Sequence, residues 1–351
     1  MLQCPNHTCQ TLNPETHRFC QTCGIFLPKR YLWAIGHGSD QYHPGDMLAS
    51  RYLCKAPRIF LDTQPAVNPD PFQEFPAECL PYLKLAPYRL HIPQLYEVVG
   101  IDGGAPMLLM DGAPLAIASS IEVADTIPDL RNGPSPSQQT IRLQPSLHQA
   151  WPTAIALRQL NWLWQLAQLW QPLQLQSVSQ TLLTTNLLKI EGSIIRILEL
   201  CPDPAAPPSL VDLGKFWQQW LPDTHASLQP FLEKLCQQLI KGKIKNSDQL
   251  VEALDRAIAH AGAAVNQQII LCAQTDQGPH RKRNEDACFP PSGSVQRYRL
   301  DAKTADSEFP LIVVCDGIGG HQGGDVASGL AIDTIQKEMA HVDPNDLDPV
   351  N

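Results

Sequence analysis

Apolar residues change their spacing twice along this chain. Residues 46–62 alternate in β fashion, in Tyr52-Leu-Cys and Arg58-Ile-Phe-Leu, and 91–99 and 106–110 predict two more short strands. From Leu157 the step lengthens to three and four. Leu157, Leu160, Leu163, Trp164, Ala167 and Trp170 predict a helix that Pro172 closes; it is apolar nearly all round and so belongs in a core. Residues 186–192 and 194–200 read as a hairpin, and 209–221 and 247–264 as two more helices. The period then returns to strands at 268–273, 287–289, 295–300 and 311–315, the last a continuous apolar run that predicts burial on both faces. Val326, Leu330, Ile335 and Met339 fall on one face of a final helix over 325–339. Between these elements, 65–76 and 128–145 are proline-dense connections. Gly36, Gly38, Pro44 and Gly45 make 29–45 read as a linker.

Composition narrows the classes. A length of 351 residues suits about two or three domains with ample core. The net charge of −9 argues against a nucleic-acid partner, because binding a phosphate backbone needs a basic surface. No apolar run reaches the ~18 residues that cross a bilayer, and Met1-Leu-Gln-Cys4 does not open a signal segment. These features lead us to expect a cytoplasmic protein that does not enter membranes, with most of its eleven cysteines reduced.

Four of those cysteines have metal-ligand spacing. Cys4 and Cys9, then Cys20 and Cys23, form two pairs on knuckle-like turns and suit a tetrahedral structural zinc. Residues 1–28 have no other means of making a core, so zinc would supply their folding energy. His7 and His17 are bystanders, since four thiolates complete the shell and leave no place for a catalytic water. The segment resembles a short zinc ribbon, a kind of module that binds other macromolecules. With so little basic charge nearby, a protein partner is expected.

The most distinctive chemistry lies near the C-terminal end. The run 311–315 leads into Asp316-Gly317 and the glycines 319, 320, 323 and 324; upstream stand Arg281, Asn284, Glu285 and Asp286. Carboxylates and a bare glycine carbonyl are oxygen ligands for hard cations, and a forked arginine suits phosphate. The pair Arg281-x-x-Asn284-Glu285-Asp286 and Val314-Cys-Asp316-Gly317-x-Gly319-Gly320 resembles the PPM-type (type 2C) metal-dependent protein serine/threonine phosphatases. That resemblance implies two Mg2+ or Mn2+ ions held by Glu285 or Asp286 together with Asp316 and the Gly317 carbonyl. It also implies Arg281 as the catalytic clamp on the phosphoryl group, and a phosphoprotein substrate. Where some relatives place a general-acid histidine after the Asp-Gly, this chain has Ile318; His321 and Asp276 receive no catalytic role.

The middle of the chain resembles the protein kinase-like fold: strands, a proline-rich loop, a buried helix and a hairpin. The chemistry does not survive there. Ser179-Gln180-Thr181 stands where that family has His-Arg-Asp, and Glu199-Leu200-Cys201 where it has Asp-Phe-Gly; Asn186 alone matches. Thr181 cannot serve as a carboxylate base.

The expected organisation is multidomain α+β. A zinc ribbon (1–28) and a linker (29–45) precede a degenerate kinase-like regulatory domain (46–265). Residues 266–351 would be the N-terminal part of an α/β/β/α-layered phosphatase sandwich. The family's later aspartates are absent, so this reading makes the chain a truncated phosphatase without activity of its own. The alternative is a non-catalytic signalling protein that keeps the zinc ribbon and enzyme-like remnants for binding.

Overall fold

The computed structural model describes residues 1–69, 76–100, 106–118, 140–263, 267–277, 283–300, 311–317 and 323–341. It is a mixed α+β structure with seven α-helices among the described residues. None of its helices there is long and apolar enough to cross a membrane. The chain divides into two compact units, Met1–Ile258 and Ala259–Asn351.

The first unit opens with β1 (Leu2–Gln3) and β2 (Leu12–Asn13), an antiparallel pair. Next come β3 (Arg30–Ile35), β4 (Met47–Leu48), β5 (Tyr52–Ala56) and β6 (Ile59–Asp62). After α1 (Leu80–Lys84) follow β7 (Gln94–Val99) and β8 (Met107–Asp111). Strands β3 to β8 form one six-stranded antiparallel sheet in the order β4-β5-β6-β3-β8-β7.

This corrects the expectation of a linker over 29–45, because Arg30–Ile35 is an inner strand of the sheet. Its Tyr-Leu-Trp-Ala stretch is buried throughout, so it lacks the alternation that marks a half-exposed strand. One face of the sheet buries Leu32, Ala34, Tyr52, Cys54, Phe60, Met107 and Leu109 together. Under that core's edge, Arg51 joins the fully buried Asp62 through two hydrogen bonds of 2.9 Å, and Tyr96 also donates to Asp62. A buried carboxylate paired this fully adds order to the sheet with little net energy.

Strands β9 (Leu115–Ala118) and β10 (Thr140–Leu143) pair with each other, so the C-terminal part of the expected 128–145 connection is a strand. The helical half contains α2 (Leu147–Ala150) and α3 (Ala156–Leu175), the hairpin β11 (Leu188–Glu191) and β12 (Ile194–Ile197), then α4 (Leu210–Gln218), α5 (Gln229–Ile240) and α6 (Ser247–Gly262).

Helix α3 is the buried helix expected from its periodicity. Pro172 lies inside it rather than closing it, and the helix ends one turn later, so few backbone bonds are disturbed. Two glutamines are buried among its apolar residues, and each is satisfied. Gln165 donates to the Ser193 carbonyl and accepts from the Ile195 amide, which fixes the hairpin turn against the helix. Gln159 does the same between Trp151 and His225. Trp220 meets Trp151 tilted and Phe216 edge to face, each at a centroid distance of 5.0 Å, within the helical core.

The second unit contains β13 (Gln267–Ala273), β14 (Ala287–Phe289), β15 (Ser294–Leu300), β16 (Val313–Cys315) and α7 (Gly324–Met339). It forms two antiparallel pairs, β13 with β15 and β14 with β16. The apolar run 311–315 is not covered on both faces: Ile312 is exposed and Val314 is 79% exposed. Helix α7 likewise buries Gly324, Ser328 and Ile332 and leaves the expected inner residues Val326 and Leu330 outside. The buried face of α7 packs against β14 and β16.

Candidate functional site

The four N-terminal thiols form the clearest site. The Sγ atoms of Cys4, Cys9, Cys20 and Cys23 all lie within 4.8 Å of one another. Cys4 is 3.5 Å from Cys23, and Cys9 is 3.8 Å from Cys20. A tetrahedron with Zn–S bonds of about 2.3 Å has edges of about 3.8 Å, so the donor set and spacing fit a structural zinc. Neither His7 nor His17 belongs to the group.

The surroundings favour loss of the proton at two of these thiols, Cys9 and Cys20. The Cys23 backbone amide is the largest influence on Cys20, and the Cys20 thiol is pulled down to about 6. The Thr11 hydroxyl, 3.2 Å from Cys9, lowers Cys9, whereas burial pushes Cys4 up to about 12. A bound dication would outweigh that last effect.

Asn13 escaped notice in the sequence. It is fully buried, lies 3.5 Å from Cys20 Sγ, donates to the Thr11 carbonyl and accepts from the Gln21 amide. It therefore ties one knuckle to the other, as outer-shell groups do around metals. Outside the thiols, Phe19 and Phe26 meet edge to face at 6.0 Å, yet each is more than half exposed.

The acidic candidates lie in the second unit. Strand β14 pairs with β16 so that Ala287 faces Cys315, and the Gly317 amide donates to the Glu285 carbonyl at 3.1 Å. Carried one residue past Ala287–Cys315, this register sets Asp286 opposite Asp316, both exposed. Like charges placed directly opposite each other destabilise a strand pair.

Gly317 is buried at the meeting point of three segments. A Cβ there would fall on the Glu285 carbonyl oxygen and 2.6 Å from that of Gly324, so only glycine fits. Among the described residues, the cysteines are the one group of three or more ligating side chains gathered closely enough for a metal. Glu285, Asp286 and Asp316 are thus brought together by their backbone without forming a closed ligand shell. Arg281 lies outside the described residues, as do Ile318 and His321. Arg283, which drew no attention in the sequence, reaches Asp325 at 3.4 Å.

A third place lies between the sheet and the helical half of the first unit. Thr181 is fully buried; its hydroxyl accepts from the Cys201 amide at 2.8 Å. Ser179 donates to the Asp203 carboxylate, which also takes the Gln180 amide at 2.7 Å. Glu199 accepts from Trp33 Nε1 at 3.1 Å and from Arg58. The Arg58 guanidinium stacks 4.4 Å over the Trp33 ring, and its Nε donates to the Ala34 carbonyl. Arg58 occupies a left-handed turn with φ 64°, a conformation that costs a non-glycine residue energy and persists here under these contacts. Trp33, Arg58 and Asp203 were not legible as partners, because they stand far from Glu199 or Ser179 in the chain.

Compared with known protein families, curated proteins and solved structures, the chain matches none of the three.

Proposed function

We propose that the chain carries the metal-binding entry of a PPM-type protein serine/threonine phosphatase, preceded by a non-catalytic kinase-like region and a zinc ribbon. The observation that carries this reading is the register that sets Asp286 against Asp316, with Gly317 packed on the Glu285 carbonyl. Two carboxylates opposed on one face favour a divalent cation. Mg2+ or Mn2+, when bound as a pair, supplies an activated water for attack on a phosphoserine or phosphothreonine. Asp286 and Asp316 would hold the charge on that face, the Gly317 carbonyl would add a neutral oxygen, and Arg281 would take the phosphoryl oxygens. The first test is Mn2+-dependent hydrolysis of an aryl phosphate by the product of the complete reading frame. We expect activity that Asp316→Ala abolishes; activity unchanged in that variant would overturn the reading.

A non-catalytic signalling role is the second reading, and the contacts around Glu199 and Thr181 favour it. Trp33 and Arg58 both donate to Glu199, and the Thr181 hydroxyl is taken by the Cys201 backbone, so these side chains spend their polar capacity inside the fold. A micromolar affinity for ATP would contradict this reading. The exposed Phe19–Phe26 pair supports a protein partner for the zinc ribbon. A cytoplasmic location is consistent with eleven free cysteines.

A further inference from the structure

We propose that the four-cysteine module is a metal-dependent brace for the six-stranded sheet, so that metal occupancy is felt at the Trp33–Arg58–Glu199 contact. The proposal is independent of the phosphatase reading.

Three connections bind the module to the sheet. The Gln3 amide donates to the Thr63 carbonyl at 2.8 Å, just past the end of β6. Glu15 accepts from Lys55 of β5 at 2.7 Å and from the Tyr31 hydroxyl of β3 at 3.4 Å. Leu27 is buried against Cys4 and Cys20, and only Pro28 and Lys29 separate it from β3.

Strand β3 carries the effect further. Tyr31 and Trp33 stand two residues apart, so their side chains share one face of the strand. Tyr31 meets the module through Glu15; Trp33 meets Glu199 and Arg58. The module and the helical half thus bear on the same face of the same strand.

The direction of coupling follows. Beyond the thiols and the apolar residues Leu2 and Leu27, the module has almost no buried core. Without metal, residues 1–27 lose the centre that folds them. Glu15 then no longer holds Lys55 and Tyr31, and the start of β3 opens more often. By linkage, whatever tightens the Trp33–Glu199 contact also tightens metal binding.

Hydrogen exchange of the whole chain tests this, with zinc content measured alongside. After zinc is removed by a chelator, amides of residues 31–35 should exchange about tenfold faster, together with those of 1–27. Glu15→Ala, which retains all four cysteines, should keep its zinc and still speed exchange at 31–35. Opening confined to 1–27 after chelation would overturn the proposal, as would a zinc-loaded Glu15→Ala protein with unchanged exchange at 31–35. A purified chain that binds no zinc would overturn it as well. Should the chelated protein precipitate, the Glu15→Ala comparison decides alone.

Discussion

The two compact units treat apolar surface and ligand groups differently. In the first, Trp151, Trp170 and Trp217 are fully buried, and the four thiols already stand at the spacing a metal needs. In the second, Ile332 is the one large apolar side chain buried among the described residues, while Ile270, Val295, Ile312, Val314, Val326 and Leu330 are exposed. Strand register brings Asp286 and Asp316 opposite each other. A site is closed where the surrounding layers are closed. Where one layer is open, the backbone can bring ligand residues to one place without shaping a shell around an ion.

Substitutions at four positions probe this contrast, from the strongest effect to the weakest. Cys20→Ser should remove the metal and unfold residues 1–27, losing most of the roughly 10–16 kcal/mol that a structural zinc supplies. Elemental analysis of the purified variant checks this; zinc retained at full stoichiometry would show that the thiols do not act as one shell. Gly317→Ala should cost the second unit about 3 kcal/mol, since its Cβ meets two backbone carbonyls that cannot swing away. Denaturant unfolding should register the loss in the second unit and leave the first unchanged.

Glu199→Ala leaves Arg58 partly buried, with Asp40 at 3.8 Å as its remaining acidic neighbour. A loss of about 2 kcal/mol in the first unit is expected, and Glu199→Gln should recover part of it. The smallest effect concerns His91, whose pKa burial lowers from 6.5 while its Nδ1 lies 2.8 Å from the Ile195 carbonyl oxygen. The unfolded chain then binds the proton more readily, so stability is complete above pH 6.5 and falls as the pH drops through the folded value. His91→Gln should flatten that slope in melting curves between pH 7 and pH 5, by less than about 1.5 kcal/mol.

Several of these features were legible in the sequence. Cysteine spacing alone located the thiol site, because its ligands lie within twenty residues on two turns. Helix α3 and the β11–β12 hairpin were visible because each follows one period over its whole length. Strand β3 was not, since a short strand buried on both faces has no alternation and glycines follow it closely. Helix α5 was missed although Leu232, Leu235, Cys236 and Leu239 do lie on one face and Pro230 stands in its first turn, where proline is common. The Arg58–Glu199 contact joins residues 141 positions apart and has no local signature. In the second unit, the sequence marked strand 311–315 as apolar, but which face is covered depends on packing that local pattern does not encode.

The cation expected between Asp286 and Asp316 is open to direct measurement. Titrating Mn2+ into the zinc-loaded chain and following the free-ion signal by electron paramagnetic resonance reads uptake at carboxylates apart from the thiols. Weak, saturable uptake is expected, and Asp316→Asn should remove it while zinc content stays unchanged. Identical curves for the two proteins, or no uptake by either, would contradict this expectation.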